Sequence, residues 1–169
     1  CRAVIMAGKA IRTIITFGVR RNSRLTVDVG SARTAGDFLG MDGHKNANVA
    51  AAVCSFLWQY ERFDYVYNAG TYRPTKAQVR HTFEQHPGIA ASIDAVPRTG
   101  SVVGRSWALL AFCHYVLSQK NQAAADYFVT RLALGDGLHR GDPIYHAREK
   151  LLASDSRLKI GERVEIILR

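Results

Sequence analysis

The alternation of apolar and polar positions separates one short extended stretch from a long helical remainder. Ile11 to Val19 is rich in Ile, Thr, Val and Phe, side chains that pack well on a pleated surface, and Arg20 to Asn22 then break the run. A helical fragment stopped by Gly8 precedes it, and Leu25 to Val29 suits a second short strand. From Thr34 onward the period changes. Thr34 is followed three residues later by Asp37, a loose capping box with Asp in place of Glu, so a short helix should start there. From Asn46, Val49, Val53, Phe56, Tyr60 and Phe63 recur at spacings of four and three, and Ala50, Cys54 and Leu57 widen the stripe. That helix is expected at the centre of the core.

Turn chemistry punctuates the rest. Pro74 and Thr75 open a helix running from about Thr75 to Gln85, His86-Pro87-Gly88 closes it, and a second short helix spans Ile89 to Ala95. Ser106 to Ser118 has a continuous apolar centre, which predicts burial on nearly all sides. Asn121 can cap the next helix, and Leu134-Gly135-Asp136-Gly137 ends it. Asp142 at the cap position and Pro143 at the first helical position start another, with Ile144, Ala147, Leu151 and Leu152 as its face. Ile160, Val164, Ile167 and Leu168 are in register in a final segment still helical at Arg169.

These elements predict a mainly α fold: a helical bundle (residues 35–169) carrying a small β-containing stub (residues 1–34). The core should be organised around Asn46 to Phe63 and Ser106 to Leu117, with Phe56 and Trp107 central. A lone strand cannot satisfy its backbone hydrogen bonds, so it needs partners from outside this segment or from a second strand near Leu25 to Val29.

Composition narrows the function classes. The 169 residues, 47% apolar, suffice for one domain, or one domain plus part of another. The longest nearly apolar run, Trp107 to Leu117, is about half of a bilayer span and contains His114, so no membrane partner is expected. Three widely spaced cysteines, Cys1, Cys54 and Cys113, argue against a disulfide framework and fit a reducing cytoplasm. The six histidines show no ligand spacing, so no metal is expected. His114 reads as a hydrogen-bonded core histidine, Cys54 and Cys113 as buried and unreactive, and Asp136 and Asp142 as turn and cap residues. No catalytic residue is assigned, no cofactor is indicated, and reaction by this chain alone is the weakest class.

Charge changes the picture more. The net charge is +9, and residues 1–34 hold Arg2, Lys9, Arg12, Arg20, Arg21, Arg24 and Arg33 against Asp28 alone. Clustering of this kind suits an acidic polymer, whose phosphates Lys and Arg neutralise; solubility alone is the simpler explanation. Arg20, Arg21 and Arg24 form one candidate nucleic-acid-binding group. Arg73, Lys76 and Arg80, at spacings of three and four, form another on or just before the Thr75 helix. Together with the Ile89 helix this second group has helix-turn-helix proportions, but Ile89 to Ala95 lacks the side chains that read bases. A solvated helix face is the plain alternative. Asp28, Gly30, Arg33 and Thr34, joined by Lys45, form a candidate phosphate site at a helix entry. There the simpler reading pairs Asp28 with Arg33, leaves Gly30 as a turn, and makes Asn46 an ordinary N-cap.

The succession AVIMAGKAIRTIITFGV, TVDVGSARTAGDFLGMDGHKNANVAAAV, YRPTKAQVRHTFEQHPGI and GDGLHRGDPIYHAREKLLA resembles phage and bacterial proteins with a ParB/sulfiredoxin-like N-terminal domain. The most specific part is Asp28-x-Gly30-x-x-Arg33-Thr34 followed by Lys45-Asn46-Ala47-Asn48. In that group an Asp-Gly-Gln-His-Arg motif directly precedes the segment matching Cys1 to Gly8, and the strand matching Ile11 to Val19 completes a ParB-like α+β sheet. The motif is not in this sequence, so the resemblance implies a missing half-domain, and a bound nucleotide would belong to that half. Two function classes follow. One is a nucleic-acid-associated protein of phage or plasmid type that binds DNA without sequence preference. The other is a structural or protein-interaction scaffold whose charge is incidental. Homo-oligomerisation is left open in both.

Overall fold

The structure, a computed structural model, describes residues 8, 10, 12, 17, 18, 20, 33–67, 72–98, 103, 106–153 and 157–169. By its internal contacts the chain divides into two compact units, Cys1–Ala32 and Arg33–Arg169. The expected strand Ile11 to Val19 lies mostly outside the described residues; Arg12, Phe17 and Gly18 are described, and none is in a strand. The second expected strand at Leu25 to Val29 lies wholly outside them, as does the expected helical fragment before Gly8. The described residues contain helices and no strand.

The second unit holds eight helices among the described residues: α1 Ala35–Met41, α2 Ala47–Phe63, α3 Lys76–Gln85, α4 Ile89–Ala95, α5 Trp107–Ser118, α6 Gln122–Leu134, α7 Pro143–Ala153 and α8 Ile160–Leu168. Their starts are set by local chemistry. Thr34 and Asp37 form a reciprocal capping box on α1, and Thr75 and Gln78 form another on α3. The Ser106 side chain accepts from Leu109 N on α5, and Asn121 Oδ1 accepts from Ala124 N at 2.9 Å on α6. α6 ends where Gly135 turns left-handed at φ 80°, a conformation glycine adopts without penalty. Asp142 holds the expected cap position before α7: its carbonyl accepts from His146 N at 3.3 Å, while its carboxylate accepts from His139 N at 2.8 Å and closes the preceding turn.

α5 is the hub. Ala108 to Tyr115 are buried without a break, as the apolar run predicts. α2, α4, α6 and α8 pack around it; α1 and α3 pack on α2, and α7 joins α6 to α8. The stripe on α2 is turned from the expected one. Ala50, Val53, Cys54 and Leu57 are buried, whereas Val49, Phe56 and Tyr60 are half-buried and Phe63 is 38% exposed. Phe56 and Trp107, expected at the centre, both lie at its edge. Phe112 takes the centre, with the rings of Phe56 and Tyr60 edge-on to it at 6.0 and 5.6 Å. Trp107 instead ties two helices, its indole N–H donating to the Val96 carbonyl at 3.0 Å.

Several polar side chains inside this core are held by hydrogen bonds. His114 is buried and lies 2.8 Å from the Asp126 carboxylate, the hydrogen-bonded core histidine that the sequence suggests. Gln59, also buried, accepts from Tyr67 N at 2.8 Å and fixes the chain leaving α2. Arg163 on α8 is buried and donates to the Val103 carbonyl at 2.9 Å. Where α8 meets that same chain, a β-carbon on Gly161 would fall 2.5 Å from the Val66 carbonyl oxygen, so only glycine permits the approach.

Two stability measurements check this arrangement. Phe112→Ala empties the centre and should cost about 3 to 5 kcal/mol, whereas Tyr127→Ala, at a ring 58% exposed, should stay within about 0.5 kcal/mol in the same urea titration. Gly161→Ala should cost about 1 to 3 kcal/mol by forcing α8 off the 65–66 segment; a parent-like unfolding midpoint would refute the close approach.

Candidate functional site

α1 is the local reference point. Its N-terminus is closed by its own sequence: Asp37 accepts from Thr34 N at 2.6 Å and from Thr34 Oγ1 at 2.9 Å, and Thr34 Oγ1 accepts from Asp37 N. These bonds, with help from the nearby charges of Arg33 and Lys76, hold the Asp37 carboxyl below the ordinary carboxylate range. Arg33 and Lys76 therefore meet at α1, although they are 43 positions apart in the chain numbering. Lys76 Nζ lies 5.6 Å from the centre of the Phe38 ring, and Arg33 Nη1 lies 3.9 Å from Met41 Sδ. An acid already sits where the candidate phosphate site places an anion, at the entry to α1.

The start of α2 is built differently. Asn46 occupies the cap position in a left-handed conformation, φ 51° and ψ 35°, and makes no side-chain cap. The expected ordinary N-cap is thus replaced. Asn46 Oδ1 instead accepts from Arg98 Nη2 at 3.5 Å, and Arg98 also lies over the Trp107 ring at 4.8 Å. α1 and α2 cross closely, since a β-carbon on Gly36 would fall 2.9 Å from Asn48 Cα. Between them runs an open groove of about 610 Å³, lined by Arg33, Asp37, Met41, Asn46 and Asn48 among others. Exposed Lys45 precedes Asn46 and lines an adjoining pocket of about 210 Å³ with His44, Phe83 and Asp94.

The predicted basic stripe on α3 divides. Arg73 and Lys76 are exposed. Arg80 is engaged within the protein, its Nε 2.9 Å from Glu84 and 4.0 Å from Asp42. Nor do α3 and α4 pack as a reading pair: α3 packs on α2 and α1, α4 on α5 and α2. The outer residues of α4, Ala90, Ala91, Asp94 and Ala95, offer no donor to a base edge.

Of the predicted residues, the structure brings Arg33, Thr34, Lys76 and Arg80 together around α1, with Lys45 at the start of α2. Arg20 is exposed and belongs to the Cys1–Ala32 unit. Arg21, Arg24, Asp28 and Gly30 lie outside the described residues. Arg98 was not singled out by sequence. It reaches Asn46 across 52 positions, and no local pattern carries that signal.

The remaining reactive groups are built into the fold. Burial pushes the Cys54 thiol up to about 12 and the Cys113 thiol higher still, so neither supplies a thiolate near neutrality. A carboxylate–imidazole–phenol chain runs from Glu61 to His86 (3.2 Å) and on to Tyr115 (2.9 Å). With the His86 Nε2–H facing Glu61, the neutral ring accepts the Tyr115 hydroxyl at Nδ1. Tyr115 is buried, and burial pushes its phenol up. The chain joins α2, the α3–α4 turn and α5. Among the described residues no group of three His, Cys, Asp or Glu is placed to hold a metal, and no helix is long and apolar enough to cross a membrane. No family model, curated protein or solved structure matches this chain.

Thr34→Ala should lower stability by about 1 kcal/mol through loss of the α1 cap. The Asp37 and Asp126 carboxyls, Asp126 held mainly by its bond to His114, both ionise below the ordinary 3.8. Their contribution is complete above that value and is lost as pH falls through the depressed folded value. Melting curves below about pH 4 should therefore fall less steeply for the Asp37→Asn/Asp126→Asn double variant than for the parent; parallel curves would show that neither carboxyl is tuned by the fold.

Proposed function

We propose that this protein binds nucleic acid through the phosphodiester backbone, without reading base sequence. The supporting observation is the convergence of Arg33, Lys45, Lys76 and Arg98, from separate stretches of chain, on α1 and the start of α2, beside an open groove of about 610 Å³. Side chains of this type steer and hold a polyanion by replacing its condensed counterions. Asn46 and Asn48 on the groove wall add neutral hydrogen-bonding groups suited to phosphate and sugar oxygens, which position a protein without specifying sequence. Net charge supports the same reading in both units. Cys1–Ala32 carries six Lys and Arg against one acid, and Arg33–Arg169 carries seventeen against thirteen. The resemblance to ParB-like phage and bacterial proteins points to the same class of partner.

One observation favours the scaffold reading: an apolar groove of about 220 Å³ between α5, α6 and α8, lined by Leu117, Ala124, Phe128 and Ile167. The two readings separate in one experiment. Fluorescence anisotropy with two unrelated duplexes should give equal, weak affinities, of order 10⁻⁴ to 10⁻⁶ M near physiological salt. The log of the binding constant should fall by about 0.9 per phosphate contact for each tenfold rise in salt. Lys45→Glu with Lys76→Glu should weaken both duplexes alike while stability changes by less than about 0.5 kcal/mol. Absence of binding at low salt defeats the proposal in favour of the scaffold, and a strong preference for one duplex defeats its non-specific character.

A further inference from the structure

At the opposite end of α2 from the basic groove, the chain gathers aromatic rings at the surface. Phe63 packs against Trp58 (6.2 Å between ring centres), Tyr67 (5.7 Å) and Tyr72 (4.9 Å), and Tyr67 packs on Tyr72 (4.9 Å) and Tyr65 (5.0 Å). The group is not an enclosed core: Phe63 is 38% and Tyr72 45% exposed. The Arg62 guanidinium lies 4.4 Å above the Trp58 indole, and exposed Arg73 follows Tyr72 directly. The buried indole N–H of Trp58 has no acceptor among the described residues.

We propose that this cluster is a stacking platform for unpaired bases, so that the nucleic acid this protein prefers at α2's C-terminal end is single-stranded. The inference rests on the nucleic-acid reading above and narrows it to a class of ligand. Exposed ring faces beside arginines match both halves of a single strand, bases that stack on π-faces and phosphates that pair with guanidinium. A duplex hides its base faces and gains nothing from them. Charge complementarity selects this occupant over a neutral sugar or an apolar peptide. Among the described residues the two exposed cations at the platform, Arg62 and Arg73, carry no acidic partner, whereas the nearby acids are engaged, Glu61 with His86 at 3.2 Å and Asp64 with Arg169 at 3.2 Å. Arg62 can leave the indole for a phosphate without exposing an unpaired charge, and the freed face then accepts a base.

The test compares an oligo-thymidine strand with a duplex of mixed sequence, both by anisotropy. Tyr72→Ala and Phe63→Ala should each weaken strand binding roughly 5- to 150-fold and leave duplex binding unchanged. Phe63→Leu keeps the apolar bulk and removes only the ring face, so it should show the same selective loss in a protein whose folding is not in question. The chain holds two tryptophans, so in a Trp107→Phe background Trp58 reports alone. The strand should quench its fluorescence and the duplex should not. Parent-like strand affinity in all three variants, or equal loss on strand and duplex, overturns the platform while duplex binding by the parent keeps the wider reading intact. Absence of binding to either nucleic acid overturns both, as does saturable occupation of the cluster by an oligosaccharide or a proline-rich peptide in place of the strand.

Discussion

The unit Arg33–Arg169 depends on one constraint: α5 is apolar on every side and has to be covered on every side. Eight consecutive residues from Ala108 to Tyr115 are withdrawn from water, which no single partner helix can achieve. α2, α4, α6 and α8 supply the cover, and the remaining helices follow from that demand. The polar atoms that accompany α5 into the interior are placed to lock this cover. His114 bonds outward to Asp126 on α6, and Tyr115 bonds through His86 to Glu61 on α2. Each bond satisfies a group that would otherwise be buried at a cost, and each also fixes the register of a covering helix.

The same economy sorts the positive charge. Arg131 donates to the carbonyls of Asp136 and Gly137, Arg148 to those of Leu132 and Ala133, and Arg163 to that of Val103. Guanidinium groups are suited to this because they stay charged and offer several donors in fixed geometry. Those arginines finish helix ends and anchor α8, so they contribute to net charge without presenting it to a partner. Lys45, Arg62, Arg73, Lys76 and Arg98 remain at the surface. A raw charge of +9 therefore overstates how much of the basic character is free to act, and position decides which part is.

Much of the helical layout was legible because helix boundaries are written locally. Thr34, Thr75, Ser106, Asn121 and Pro143 each mark a start through groups a few residues away, and α5 is recognisable from apolar continuity alone. What failed to show in sequence depends on how helices are turned against one another. Phe56 and Trp107 look central on their own helices, yet the rotation of α2 and the indole bond to Val96 place both at the edge. Arg80 reads as part of a surface stripe, but Asp42, 38 positions earlier in the numbering, and Glu84 both reach it. Asn46 reads as a cap until Arg98 draws its side chain away and the backbone turns left-handed. The surface aromatic cluster escaped notice because its members occupy a helix end and the chain beyond it, where no period connects them. Of the candidate site, then, the individual basic residues were legible and their companions were not.

α2 links the two candidate surfaces physically. Its 17 residues span about 25 Å, with the basic groove at the N-terminal end and the aromatic cluster at the C-terminal end. The helix is held along its length by α5, so this separation cannot vary much. A short oligonucleotide seated on the rings does not reach Lys45, and one held at the groove does not reach Phe63. On the proposed reading, a strand long enough to bridge them would engage the second surface as an intramolecular event, at an effective concentration set by the rigid spacing, and would gain affinity without any new type of contact. On that reading, a length dependence of binding would follow directly from how tightly α5 holds α2.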